Sequence, residues 1–207
     1  MKVERVSYDV MTPSAARGIL EAIHWKPAIA WAVDKIHVLK PIRFQSFRRN
    51  EVGSKIAVGN VKKAMKSGNA AGLGLDVQSE RQQRATTLLV DVEYVIEAHF
   101  DLTGRAKEDD TPAKHISMFN RRAETGQCFH RPCLGTREFA ANFALIPEGA
   151  PLPETALPED QRHRDLGWML FDLDFADPKN VKSKFFRARL EDGVLDVRKC
   201  VAEGTAA

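Results

Sequence analysis

The stretch MTPSAARGILEAIHWKPAIAWAVDKIHVLKP, residues 11–41, decides how the chain is read. Thr12 can cap a helix with its side-chain oxygen, and Pro13 suits the first helical position, where its missing N–H costs nothing. Ala15, Ile19, Leu20 and Ile23 then recur at helical spacing. Pro27 stops the run, because the residue before a proline is biased out of the α region. A helix is therefore expected from Pro13 to His24. The β-branched and aromatic residues that follow predict a strand from Ile29 to Leu39, broken at Pro41, with a further extended piece beyond it.

The same signals recur downstream. Thr111-Pro112 repeats the cap and proline, Ile116 and Phe119 give the apolar face of a second helix, and Gly126 fits its stop. In TTLLVDVEYVIEAHF, residues 86–100, Val92, Tyr94, Ile96, Ala98 and Phe100 fall on one face of a strand. Phe139, Ala141, Phe143 and Leu145 alternate in the same way and predict another. Residues 53–83 scatter glycines among lysines and read as a long mobile connection with a short helix at Asn60–Lys66. Pro147 to Pro158 holds four prolines and reads as a linker or extended surface loop. After it, GWMLFDLDF, KFFRARL, the turn signal Asp192-Gly193 and VLDV predict a small antiparallel sheet.

The order is helix, strand, strand, helix, strand, then that small sheet. With one strand in front, the first part becomes β-α-β-β-α-β, a ferredoxin-like (RRM-like) α+β unit. The boundary is expected between residues 1–146 and 147–207.

Hydrophobic content of 43% and charged content of 29% fit a soluble globular protein. No stretch offers the roughly 18 apolar residues of a membrane span, and MKVERVSYDV lacks a secretory apolar run, so the expected location is the cytoplasm without membrane association. Three cysteines, Cys128, Cys133 and Cys200, argue against a disulfide framework. Between residues 41 and 90, nine basic side chains face only Glu51, Asp76 and Glu80. Such an excess meets a phosphate backbone or simply solubilises a face.

In the ferredoxin-like topology the first helix ends where the second begins. His24, Lys114 and His115 would then converge. A helix N-terminus offers unpaired N–H groups to an anion, Lys114 adds positive charge, and a histidine exchanges protons near neutral pH. This set suits phosphodiester cleavage of RNA with no metal or other cofactor: a ribose 2′-hydroxyl attacks, and a 2′,3′-cyclic phosphate and a 5′-hydroxyl result. A histidine at a helix end is also often a plain contact with the helix dipole. Cys128-x-His130-x-x-Cys133 supplies three metal-type residues where a structural zinc site takes four. Glu108, Asp109 and Asp110 read as a solvated run, and Trp25, Trp31 and Trp168 as core.

Four segments carry a resemblance: ERVSYDVMTPSAARGILEAIHWKP, VLKPIRFQSFRRNEV, RQQRATTLLVDVEYVIEAHF and KHISMFNRRAETGQCFHRPCLGTREF. They resemble the fifth CRISPR-associated protein family in its subtype I-C (Dvulg) branch, from Glu4 to Phe139 and more loosely through GWMLFDLDF to the end. The resemblance implies a repeat-associated mysterious protein fold, in which residues 1–146 form the RNA-binding and cleavage domain. It implies metal-independent cleavage of the precursor CRISPR RNA repeat hairpin. The protein would then stay on the 5′ handle of the guide RNA, among the other subunits of the type I-C interference complex. A non-catalytic RNA-binding subunit of that complex is the alternative. The family's active centre joins a tyrosine in an Ile-Tyr-Trp-Lys-Pro motif to a Lys-His pair. That pair is Lys114-His115 here, and His24 stands at the tyrosine position. The working assignment makes His24 the general base, His115 the general acid or a second base, and Lys114 the electrostatic stabiliser. Arg48, Arg49, Arg81 and Arg84 are candidates for RNA backbone contacts, and Gly135-Thr136-Arg137 resembles a glycine-containing loop that approaches RNA. The family also implies a strand upstream of the segment matching ERVSYDV. The expectation for this chain is a domain without that first strand and, from its open strand edges, poor solubility.

Overall fold

Helix α1 (Pro13–Ile23) forms where its signals stand: Thr12 accepts a hydrogen bond from Ala15 N–H and Pro13 opens the helix. Four carbonyls at its end are engaged. Leu20 O accepts from His24 N–H (2.9 Å), Ala22 O from Phe129 N–H (2.8 Å), Ile23 O from Arg122 and His24 O from the Trp31 indole (2.8 Å). This pairing fixes the helix end and the residue that follows it.

The computed structural model describes residues 5–206. The remaining elements are β1 (Arg5–Val6), β2 (Ile29–Val38), β3 (Phe44–Val52), α2 (Val58–Ser67), β4 (Arg81–Leu89), β5 (Tyr94–Leu102), α3 (Pro112–Glu124), α4 (Glu159–Arg162), β6 (Arg164–Asp174), β7 (Lys182–Leu190), β8 (Val194–Asp196), α5 (Val197–Glu203) and β9 (Thr205–Ala206). This is a mixed α+β chain of small sheets, in two compact units.

One unit comprises residues 5–7 and Phe44–Val90. Its sheet runs β1-β4-β3, with β3 and β4 antiparallel from Phe44 opposite Leu89 to Val52 opposite Arg81. Thr86 is its one buried side chain among the described residues. The expected connection over residues 53–83 stands between the two strands of the ladder: it carries α2 where a short helix was expected, and only residues 81–83 belong to β4. RQQRATTLL lacks apolar alternation because little of it packs against a core.

The other unit comprises Tyr8–Arg43 and the chain from Asp91 on, so the expected boundary at 146/147 lies inside it. Its antiparallel sheets run β5-β2-β8 and β6-β7-β9. Ile36, Phe186, Leu195, Met169 and Leu157, each at most 2% exposed, centre the core with the inner face of α1. Asp192 and Gly193 both have positive φ, as a two-residue hairpin turn requires. β8 nevertheless leaves β7 and pairs with β2 at Lys35–His37, so VLDV is not the third strand of the C-terminal sheet.

Two more expectations change. Residues 139–145 keep the alternation, with Ala141, Phe143 and Leu145 against the core, but form no ladder beyond the bridge of Cys133 with Ala140. The apolar pattern recorded packing without a pairing partner. The proline-rich stretch is docked: Thr155 donates to Val38 O (2.8 Å), Ala156 N–H to Leu39 O (2.8 Å), and Leu157 is buried. The loop before β5 is pinned by Asp91, which takes Lys40 (2.7 Å) and Arg43 (2.6 Å).

Candidate active site

The end of α1 and the start of α3 meet. His24 caps α1 in extended conformation and is 0% exposed. His115 lies in the first turn of α3 and is 1% exposed. His24 Nε2 and His115 Nδ1 are 3.1 Å apart. Phe100 of β5 packs edge-on against the His115 ring, with centroids 6.0 Å apart. α3 starts as its sequence dictates: Thr111 accepts from Lys114 N–H, and Pro112 follows.

Lys114 is exposed at the same helix start. Its Nζ donates to Asp109 Oδ2 (2.9 Å), Asp109 O (3.1 Å) and Asp110 Oδ1 (3.2 Å). Those bonds raise the Lys114 pKa, Asp109 first. The Lys114 ammonium in turn holds the Asp109 carboxyl below its ordinary range, and the Lys107 backbone N–H leads in doing so for Asp110. Asp110 Oδ1 is also 3.3 Å from His115 Nε2, off the line of a hydrogen bond, so that buried nitrogen has a charge beside it and no acceptor. One carboxylate oxygen therefore touches both members of the Lys-His pair.

Behind His24 stands Arg122, two turns along α3 from His115. Its Nη1 donates to Ile23 O (2.9 Å) and lies 3.3 Å from His24 Nδ1. Burial, then the Arg122 charge, His115 and Lys26, push the His24 pKa down to about 4. The ring is neutral at physiological pH.

A family model described as CRISPR-associated protein (Cas_Cas5) matches residues 1–198. This chain belongs to the Cas5 family of CRISPR-associated proteins. A relative from Mannheimia succiniciproducens, named CRISPR pre-crRNA endoribonuclease Cas5d, is 59% identical over 203 residues, covering 98% of this chain and 89% of its own length. One of the same name from Thermus thermophilus is 38% identical over 213 residues, covering 95% of this chain and 83% of its own. Two crystal structures share the fold at a TM-score of 0.63. One, a functionally uncharacterized protein from Streptococcus mutans, is 21% identical over 97% of this chain and 87% of its own. The other, described as a CRISPR-associated protein, is 23% identical over 98% of this chain and 88% of its own.

In this Cas5 chain the four candidate arginines lie on the β3–β4 ladder, and its register divides them. Arg49 stands opposite Arg84, while Arg48 and Arg81 belong to the alternate pairs Arg48–Ala85 and Val52–Arg81. Arg48 and Arg81 thus share one face, and Arg49 and Arg84 the other. The second face is engaged: Glu51 takes Arg84 (3.6 Å) and Arg5 (3.0 Å), and Arg49 lies over the Phe47 ring (4.7 Å). Gly135, at φ +81°, turns a tight loop closed by Leu134 N–H to Phe139 O (2.8 Å), with Arg137 exposed at its tip.

Trp31 packs on Phe100 and Phe119 as expected of a core residue, but Trp25 and Trp168 are more than half exposed, being next to a proline-ended turn and on the outer side of β6. Among the described residues no helix is long and apolar enough to cross a membrane, and no three His, Cys, Asp or Glu side chains group as metal ligands. Sequence reasoning missed Asp110 and Arg122. Asp110 was legible as the i, i+4 partner of Lys114, and Arg122 as the residue seven after His115 on one helix face.

Proposed function

We propose that this chain is an endoribonuclease that cuts precursor CRISPR RNA within its repeat, without a metal ion, and stays on the 5′ handle among the subunits of a type I-C interference complex. The O2′–P bond forms as the P–O5′ bond breaks; the 2′-hydroxyl loses a proton and the 5′-oxygen gains one. The observation that carries this reading is the 3.1 Å contact between His24 and His115 beside Lys114 at the start of α3. Two groups suited to moving protons stand with a cation and a helix N-terminus suited to a phosphate. The relatives' printed names give the substrate.

Lys114 and His115 face the phosphate in this reading, and His24 acts through His115. The carboxylates of Asp109 and Asp110 occupy the ammonium where a phosphate oxygen would sit, so RNA binding displaces them. We also read the α1-β2-β5-α3 order, with β2 and β5 antiparallel, as a ferredoxin-like unit.

The test is cleavage of the cognate repeat RNA in EDTA, beside a copy with a 2′-deoxy nucleotide at the cut. Cutting of the first alone is expected. Lys114→Ala and His115→Ala should each slow it roughly 10²–10⁴-fold with binding kept. Wild-type rates from both variants would sink the site. The burial of both imidazoles favours a second reading, a subunit that holds the RNA without cutting it. Tight binding with no cleavage would select that reading.

A further inference from the structure

Arginine cannot accept a hydrogen bond at any accessible pH. Arg122 Nη1 lies 3.3 Å from His24 Nδ1, so that nitrogen must accept, and a neutral His24 carries its proton on Nε2. His24 Nε2 is 3.1 Å from His115 Nδ1, so that second nitrogen must accept in turn. The remaining proton of a neutral His115 then sits on Nε2, the buried nitrogen 3.3 Å from Asp110 Oδ1 that has no hydrogen-bond acceptor. The reverse assignment would set two N–H groups against each other at Arg122, and protonating His115 on Nδ1 would do the same between the rings.

We propose that Arg122 is a positioning residue that sets both tautomers of the His24–His115 pair, so that His115 presents an N–H, not a lone pair, toward Asp110 and Lys114. The inference rests on reading this pair as part of the cleavage site. Its chemical meaning is that His115 meets the RNA as a hydrogen-bond donor to a phosphoryl or leaving oxygen. With the tautomers fixed this way, the resting pair acts as a donor, and the proton of the 2′-hydroxyl passes to solvent water. The groups facing the pair agree. Arg122 on α3 and Lys26 after α1 both disfavour a charged His24, and Trp31 and Phe100 from the sheet add no charge. Asp110 Oδ1 lies 3.3 Å from His115 Nε2 and 3.2 Å from Lys114 Nζ. The low His24 pKa is the thermodynamic side of the same arrangement.

The experiment is long-range ¹H–¹⁵N NMR of the full chain labelled in histidine, at neutral pH. Both His24 and His115 should show protonated Nε2 and bare Nδ1. Arg122→Lys, still a pure donor, should keep that pattern. Arg122→Gln, which can accept, should mix the tautomers, raise the His24 pKa and lower kcat for repeat RNA at least roughly tenfold with KM little changed. Arg122→Lys should recover most of that rate. A proton on His115 Nδ1 in the wild type, or tautomers unmoved in Arg122→Gln, would overturn the inference; the wild-type spectrum needs no variant to fold. The parent reading fails separately, if His115→Ala cuts RNA normally.

Discussion

The β3–β4 ladder and the junction of α1 with α3 are held together by opposite means. In the ladder the backbone does the holding: nine register pairs, one buried side chain among the unit's described residues, and charges at the surface. At the junction side chains do the holding, with two buried imidazoles, an arginine on the Ile23 carbonyl and an indole on the His24 carbonyl. Surface charges on a ladder can move from position to position without disturbing its hydrogen bonds. The junction has less freedom, because Arg122, His24 and His115 are linked one to the next through buried ring nitrogens.

The strongest way to break this contrast is truncation. Phe186→Ala empties the centre of the larger unit's core and should cost about 3–5 kcal/mol in denaturant unfolding. Val52→Ala on the ladder, exposed in the fold, should cost well under about 1 kcal/mol. Similar costs would mean that the ladder has a core of its own.

Acid tests the junction next. His24 is held neutral with a pKa near 4, whereas an unfolded histidine titrates near 6.5. Unfolding then takes up a proton, so the stabilisation is complete above about pH 6.5 and lost as pH falls toward 4. The loss should be on the order of 3 kcal/mol, and His24→Gln should flatten it. An unchanged slope in that variant would place the acid sensitivity elsewhere.

The smallest effect separates the ladder's faces. Arg48→Gln with Arg81→Gln should weaken RNA binding roughly tenfold and reduce the log–log salt slope by about 1.5, as two lost phosphate contacts would. Arg49→Gln with Arg84→Gln should leave that slope nearly intact, since Glu51 and Phe47 already engage those side chains. Equal losses would mean that RNA contacts both faces.

How much could be read in advance follows the same division. Both Thr-Pro helix starts stand where the sequence put them, because capping is local chemistry. The meeting of His24 with His115 was legible through topology alone. The strand β4 was not, since a ladder with exposed faces imposes no apolar period; neither was the handover of VLDV to β2, which depends on an edge far away in sequence. Arg122 could be placed on the His115 face of its helix, but its role was hidden, since it turns on a nitrogen's inability to accept and shows only once Nδ1 of His24 has a position.

Asp91 carries a last consequence. It grips Lys40 and Arg43, the last residues before the ladder unit, while Leu39 N–H reaches Glu93 O at 3.0 Å. The departing and returning chains are thus fastened to each other before the excursion begins. Whatever hangs between them can lengthen, shorten or change its sequence without a slip in the pairing of β2 with β5. This fastening is a hem: the segments beyond it can be replaced over evolutionary time while the stitches beneath stay in place.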